Sequence, residues 1–386
     1  MSKKQMMFVV VLNIFLIFLG GIIIRWITNN RLKSFWTSVE SSMGTKVNDI
    51  KKSNFLALQS YLVDTVTTAK KSVVSITISK DVKFYVEDPS QLNWPWSIQQ
   101  QTTKVGWWSG ILVTKNGYII TNKHVVQDTT AKYSVIVSDG RTYNVDKIWF
   151  DDLLDIALLK IVNSEGISPT DLTATTFLPL KTQIDIGQFV LTIGNALSKY
   201  PHTVTMGILW GKNKQLTING NNFYIGLYQT DAHAGPGNSW GPLLDIDGNT
   251  IGMTTAIDEW EGMTFALPLS QEFMAWTIKS IETFGKISRP IIGIQYVEIS
   301  SSLKAEKKLT SDTGIFVNDV LTDLPAWEAW LKVGDVIVAI NDNEITRQMP
   351  FLYQLYTYIP GDTITLSIIR DGKTMGLTVV LGGNTQ

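Results

Sequence analysis

The chain has 386 residues, 44% hydrophobic and 17% charged, with a formal net charge of −1. That length fits two or three folded units at ~100–200 residues each; the composition excludes bulk disorder, and near-neutral charge without a basic block gives no nucleic-acid footprint. The absence of cysteine excludes disulfides and thiolate chemistry, and no His-x-x-x-His pair offers a metal site, so neither a metal nor another cofactor is expected.

In chain order, the first predicted element is a membrane segment. Residues 6–24 are apolar except Asn13, behind Lys3-Lys4 and ahead of Arg25, close to the ~20 residues a helix needs to cross hydrocarbon. A cleaved signal peptide would end in a small-residue site. Here Gly20-Gly21 runs into Ile22-Ile23-Ile24, which favours an uncleaved anchor over 6–27, with residues 1–5 as a short cytoplasmic end. Lys3 and Lys4 favour that orientation, although Arg25, Arg31 and Lys33 weaken the bias. Residues 28–58 place Leu32, Phe35, Val39, Met43, Val47 and Ile50 at helical spacing; a stalk helix and a solvated linker are both open.

From residue 59 to 284 the pattern is β. Val73-Val74-Ser75-Ile76-Thr77-Ile78, Tyr133-Ser134-Val135-Ile136-Val137 and Phe189-Val190-Leu191-Thr192-Ile193 read as short strands. Asn116-Gly117, Asp139-Gly140 and Asp247-Gly248 supply turns. Many short strands with frequent turns predict a sandwich or barrel. Residues 87–104, rich in Pro, Gln and Ser, read as a long loop. A short hinge at 284–288 leads to a second unit over 289–384, with strands at Ile291-Ile292-Gly293-Ile294 and Gly314-Ile315-Phe316-Val317 and a turn at Asn341-Asp342.

The chemistry is carried by three motifs. Gly237-Asn238-Ser239-Trp240-Gly241-Pro242 is a small-residue turn ahead of Leu243-Leu244. Glycine before the serine allows backbone N–H groups to converge, so Ser239 is the candidate nucleophile, with the N–H groups of Gly237 and Ser239 as an oxyanion hole. His124, one of three histidines with His202 and His233, ends the apolar run Ile119-Ile120-Thr121-Asn122-Lys123 and is the candidate base. Asp155 opens Ile156-Ala157-Leu158-Leu159 and can orient an imidazole. The order His, Asp, Ser is that of chymotrypsin-like enzymes. It predicts two packed six-stranded barrels, with His124 and Asp155 on the first, Ser239 on the second, and the cleft between them.

These motifs resemble the HtrA (Deg) family of serine proteases. The histidine block is Ser109-Gly110-Ile111-Leu112-Val113 through Val126. The aspartate block is Asp155 through Ile161. The serine block is Gln229-Thr230-Asp231-Ala232 through Pro242, with Ile251-Gly252 and Thr254-Thr255-Ala256. The resemblance runs from about residue 60 to the end. It implies ATP-independent endoproteolysis of misfolded or regulatory envelope proteins, outside the cytoplasmic membrane, by a homotrimer. It also implies that residues 289–384 form a PDZ domain, whose loop Ile291, Ile292, Gly293 and Ile294 captures the C-terminal carboxylate of a peptide. Residues 87–104 match a loop that projects from the protease barrel, 212–222 match a sensor loop, and 258–263 border the specificity pocket. His233 stands where the family has a small residue; it reads as a loop histidine without a role rather than as a substrate contact, the alternative for this position.

Several tryptophans stand where this family places glycine: Trp240 after the serine, Trp107 and Trp108 before Ser109, Trp149 and Trp330. A UGA codon read as tryptophan, but meaning glycine in the source organism, accounts for this clustering. The competing account is a degenerate protease that binds without cleaving, a chaperone or PDZ scaffold. A sensor protease for one membrane-bound regulator is a third functional reading.

Overall fold

The computed structural model describes residues 19–21, 25–26, 30–31, 33–34, 55–87, 96–194, 203–218, 222–235, 240–258, 262–347 and 349–383. Most of the expected anchor at 6–27 and of the 28–58 segment lies outside these residues. No helix among the described residues is long and apolar enough to cross a membrane. A helix, α1, covers 55–69, and residues 65–386 form one compact unit.

The β-rich pattern becomes two closed six-stranded barrels. The first contains β1 (Val73–Glu87), β2 (Trp96–Leu112), β3 (Tyr118–Thr121), β4 (Lys132–Ile136), β5 (Thr142–Phe150) and β6 (Ala157–Val162). Its inward positions are the alternating apolar residues, including Val74, Ile76, Leu112 and Ile119, all nearly inaccessible. The second contains β7 (Phe189–Gly194), β8 (Thr203–Ile218), β9 (Asn222–Thr230), β10 (Pro242–Leu244), β11 (Thr250–Asp258) and β12 (Met263–Pro268). One core cluster joins Ile111 and Ile156 of the first barrel region to Met253 and Phe265 of the second, so the barrels share buried surface.

Part of the expected 87–104 loop is strand. β1 and β2 pair as far as Glu87 and Trp96, past a register shift at Ile78/Ser79. Residues 101–104 are exposed, and the stretch Gln99-Gln100-Gln101-Thr102-Thr103-Lys104 of this arm carries no hydrophobic alternation for a sequence reading to detect. Residues 88–95 lie outside the described set. Much of the 212–222 segment is likewise strand: β8 continues to Ile218 and pairs with β9 through three register shifts.

A helix, α3 (Gln271–Phe284), leaves the second barrel. Ser270 caps it by accepting the Phe273 N–H, and Gly285 ends it at φ 72°. Beyond it, β13 (Pro290–Ile291) pairs with β20 (Gly382–Gly383). A separate sheet runs β14 (Ile294–Glu298), β15 (Ile315–Val320), β16 (Val336–Ile340), β18 (Thr363–Arg370), β19 (Lys373–Val380), with β17 (Asn343–Glu344) beside β16. The expected turn at Asn341-Asp342 joins β16 to β17 with both residues at positive φ, the geometry of a tight hairpin. Helix α4 (Ser301–Lys307) follows β14, and helices α5 (Pro325–Glu328) and α6 (Phe351–Leu355) close this unit over a core that includes Ile315, Ile337, Phe351 and Leu366.

Candidate active site

His124 sits in the four-residue helix α2 (Lys123–Val126), directly after β3. Val125 and Val126 point into the first barrel core, and this fixes the helix so that His124 faces the other way, with a side chain 38% exposed. Asp155 lies in the turn before β6 and is 11% exposed. Its Oδ2 is 2.7 Å from His124 Nδ1, and its Oδ1 accepts the His124 backbone N–H at 3.1 Å. An ionised carboxylate only accepts, so Nδ1 carries the hydrogen and Nε2 keeps its lone pair for a proton.

Two further groups meet Asp155. Asn122 Nδ2 donates to Oδ2 at 3.1 Å, and Thr255 Oγ1 approaches the same oxygen at 3.4 Å. Burial pushes the Asp155 carboxyl up. The hydrogen bonds and charge of His124, with the Asn122 amide, outweigh that and hold it below the usual carboxylate range. The ionised form is therefore favoured by folding, and that contribution is present at neutral pH and lost as pH falls through the acidic range.

The turn leading into Asp155 is organised by Asp151, which is fully buried. Its Oδ1 accepts the N–H groups of Leu153 and Leu154 at 2.9 and 3.0 Å. Its carbonyl accepts Lys123 Nζ at 3.0 Å, and its Oδ2 accepts Arg289 Nε at 2.7 Å. The sequence reading assigned no role to Asn122, Lys123, Asp151, Thr255 or Arg289. Their signal is weak in one dimension, because each resembles an ordinary turn, cap or linker residue.

Gly237, Asn238 and Ser239 lie outside the described residues, as does His202. Their neighbour Trp240 has φ 72°. Its ring stands edge-on to His124 at 4.5 Å between centroids and 6.2 Å from Trp108. His233 is exposed, and its carbonyl accepts the Thr205 hydroxyl at 2.8 Å. Trp330 also has a left-handed backbone, at φ 62°. Trp107, Trp108 and Trp149 lie in strands β2 and β5 and are not among the residues with positive φ. The expected glycine requirement therefore has a backbone basis at 240 and 330 alone.

In the C-terminal unit, Ile291 is in β13, Ile292 is buried, and Ile294 opens the sheet-edge strand β14. Between them Gly293 has φ 82°, and a Cβ there would collide with Leu324, so this bend needs glycine. The Gly293 carbonyl accepts Leu321 N–H at 2.9 Å, and the Ile292 carbonyl accepts Ala326 N–H at 2.7 Å.

Comparison with known proteins gives consistent matches. A trypsin-like peptidase domain matches residues 108–253, and a PDZ domain matches residues 290–381. The chain is 33% identical over 300 residues to "Serine protease Do-like HtrA" of Lactococcus lactis subsp. cremoris, covering 72% of this chain and 71% of that one. It is 34% identical over 279 residues to the "Probable periplasmic serine endoprotease DegP-like" of Chlamydia muridarum, covering 71% of this chain and 53% of the relative. Among solved structures, "HtrA-type protease AlgW with decapeptide" superposes with a TM-score of 0.58 at 28% identity, over 84% of this chain and 99% of that one. Two barrels, a PDZ sheet and these matches converge: the chain belongs to the HtrA family of trypsin-like serine endopeptidases with a PDZ domain.

Proposed function

We propose that the chain cleaves misfolded or regulatory envelope proteins, without ATP, through a triad of His124, Asp155 and Ser239. The observation that carries this reading is the 2.7 Å contact of His124 Nδ1 with Asp155 Oδ2. In sequence, Ser239 lies between β9 and β10, both strands of the second barrel. Nε2 takes the proton of Ser239 as the hydroxyl attacks a peptide carbonyl. Asp155 stabilises the imidazolium, and the N–H groups of Gly237 and Ser239 receive the oxyanion. The imidazolium then protonates the leaving amine, and water repeats the sequence on the acyl-enzyme. The PDZ unit, residues 289–384, captures C-terminal peptides at the Ile291–Ile294 bend, by strand addition along the open edge of β14. The apolar run at 6–24 supports an anchor at 6–27, with the protease at 59–284 and the PDZ unit on the extracytoplasmic side. The family resemblance supports a homotrimer.

A second reading, a binding-only scaffold, is favoured by one observation: a bulky residue in a left-handed backbone next to the nucleophile. A covalent serine-hydrolase probe separates the two. Labelling and casein cleavage that both vanish in Ser239→Ala and His124→Ala support the protease. A native chain that takes no label and cleaves nothing supports the scaffold.

A further inference from the structure

Asn122 occupies an N-cap position without capping. It precedes α2 with extended backbone, φ −74° and ψ 142°, and its side chain makes no cap hydrogen bond. An asparagine there ordinarily accepts a first-turn N–H. Asp155 supplies that acceptor instead, through the contact of its Oδ1 with the His124 N–H. The Asn122 amide is fully buried and gives its hydrogens elsewhere, to Asp155 Oδ2 at 3.1 Å and to Thr255 Oγ1 at 2.7 Å. Its Oδ1 has no partner among the described residues, which is unfavourable for a buried acceptor. The flipped amide would be worse, since it would turn an oxygen toward a carboxylate that has no hydrogen to give. The charge on Asp155 therefore fixes which way this amide points.

We propose that Asn122 is a positioning residue for the acid–base pair. Its amide holds Asp155 Oδ2 in line with His124 Nδ1 and, through Thr255 on β11, ties that carboxylate to the second barrel. Asn122 and Asp155 come from the first barrel region and Thr255 from the second, so the network links the register of the two barrels to the geometry of the acid. The inference rests on the triad reading above. Asn122 acts through Asp155 and does not itself transfer a proton.

The test measures kcat and KM of the full chain on a casein-derived peptide across the acid limb of the pH–rate profile. Asn122→Ala is expected to lower kcat roughly ten- to hundredfold, the worth of one hydrogen bond to a charged group, with KM nearly unchanged. The acid limb is expected to move to higher pH, because a carboxylate that has lost a donor holds an imidazolium more tightly. Asn122→Asp keeps the shape and places a second carboxylate beside Oδ2, so its kcat falls further and the limb moves further. Thr255→Val breaks the link to β11 and removes the hydroxyl 3.4 Å from Asp155 Oδ2; its loss is smaller, and the Asn122→Ala/Thr255→Val pair is less than additive. A purely structural role would lower the folded fraction and leave the limb of the folded enzyme in place. That result overturns the inference, as does wild-type kcat in folded variants or full additivity. If neither Asn122 variant folds, Thr255→Val decides alone, since an unshifted limb there overturns the inference too. Asp155→Asn and Ser239→Ala separate the two levels. Activity retained in these variants removes the triad reading itself. Activity lost in them but kept in Asn122→Ala removes only the role of Asn122.

Discussion

At the residue scale the two left-handed tryptophans differ in what their side chains gain. Trp330 follows α5 with its N–H on the Trp327 carbonyl, and the Leu331 N–H reaches back to the Ala326 carbonyl, both at 3.0 Å. That is the Schellman ending, in which glycine is the usual residue at the left-handed position. The Trp330 side chain is 77% exposed, so little packing offsets a backbone cost of ~1–2 kcal/mol. Trp330→Gly is expected to raise stability by about 1 kcal/mol after allowing for the greater chain entropy of glycine, read as a higher urea midpoint. Trp240 is the opposite case. Its indole packs against the first barrel core and His124, but its Nε1 is buried without a partner among the described residues. Trp240→Gly relieves the backbone beside Ser239 and loses that packing. It is expected to raise casein cleavage more than it raises Tm, and equal activity in the two chains would refute the strain argument. Peptide mass spectrometry of the protein from its source organism tests the codon account directly, and UGG codons at 240 and 330 would end it. That His124 and Asp155 meet was legible in the sequence, because histidine is rare in this chain and each of the two stands at the end of an apolar run; Ser239 lies outside the described residues. Asn122 was not legible, because an asparagine before a helix reads as a cap, and only the fold reveals that its amide turns away.

At the scale of elements, the strands with alternating apolar residues were readable, whereas the β1–β2 arm and the β8–β9 extension were not. The β1–β2 arm pairs through a backbone ladder between largely exposed residues, the β8–β9 extension pairs through three register shifts, and backbone hydrogen bonds leave little trace in composition. The hinge expected at 284–288 is followed directly by a buried ion pair. Arg289, just beyond it, is 3% exposed and bonded to Asp151, which is 0% exposed. Its guanidinium lies 4.2 Å over the Phe273 ring of α3 and 5.7 Å from the Tyr356 ring that follows α6. The segment joining the protease and PDZ elements is thus clamped to the turn that carries Asp155. Removing one partner of a buried ion pair leaves an uncompensated charge and typically costs ~3–5 kcal/mol. Arg289→Met is expected to destabilise by that order in urea unfolding and to lower kcat, because Asp151 also holds the Leu153 and Leu154 N–H groups. Arg289→Lys should recover only part of the loss, since lysine lacks the planar fork that stacks on Phe273. Wild-type stability in Arg289→Met would mean that the clamp contributes nothing.

At the scale of the whole molecule, buried phenols gather where the PDZ elements meet the second barrel. The Tyr353 ring presses on Gly226 of β9, at a position where a Cβ would come within 2.7 Å of it. Tyr356 packs with the core cluster shared by the two barrels and α3. Beside them lies a cavity of about 400 Å³, walled by Leu178, Ile184 and Phe273 on one side and by Met349 and Leu352 on the other. Burial pushes the Tyr228 hydroxyl up to about 12. It does the same for Tyr356, where Asp151 adds to the rise and Arg289 opposes it. Tyr353 and Tyr296 are raised as well, first by burial and then by neighbours that include Glu298. An unfolded chain releases these protons near pH ~10, while the folded chain retains them. Between those values the folded state binds more protons, so stability falls as pH rises. The contribution is complete below pH ~10 and is lost on the way to about 12 for Tyr228 and Tyr356. Because the cavity leaves the junction incompletely packed, α6 is expected to separate from the second barrel before either barrel opens. Alkaline titration monitored by tyrosinate absorbance and by circular dichroism tests this. Tyr228, Tyr296, Tyr353 and Tyr356 should ionise late and together, in step with loss of near-ultraviolet ellipticity while far-ultraviolet strand signal persists. Ionisation of these four near pH ~10 with tertiary structure intact would show that they are not buried in solution.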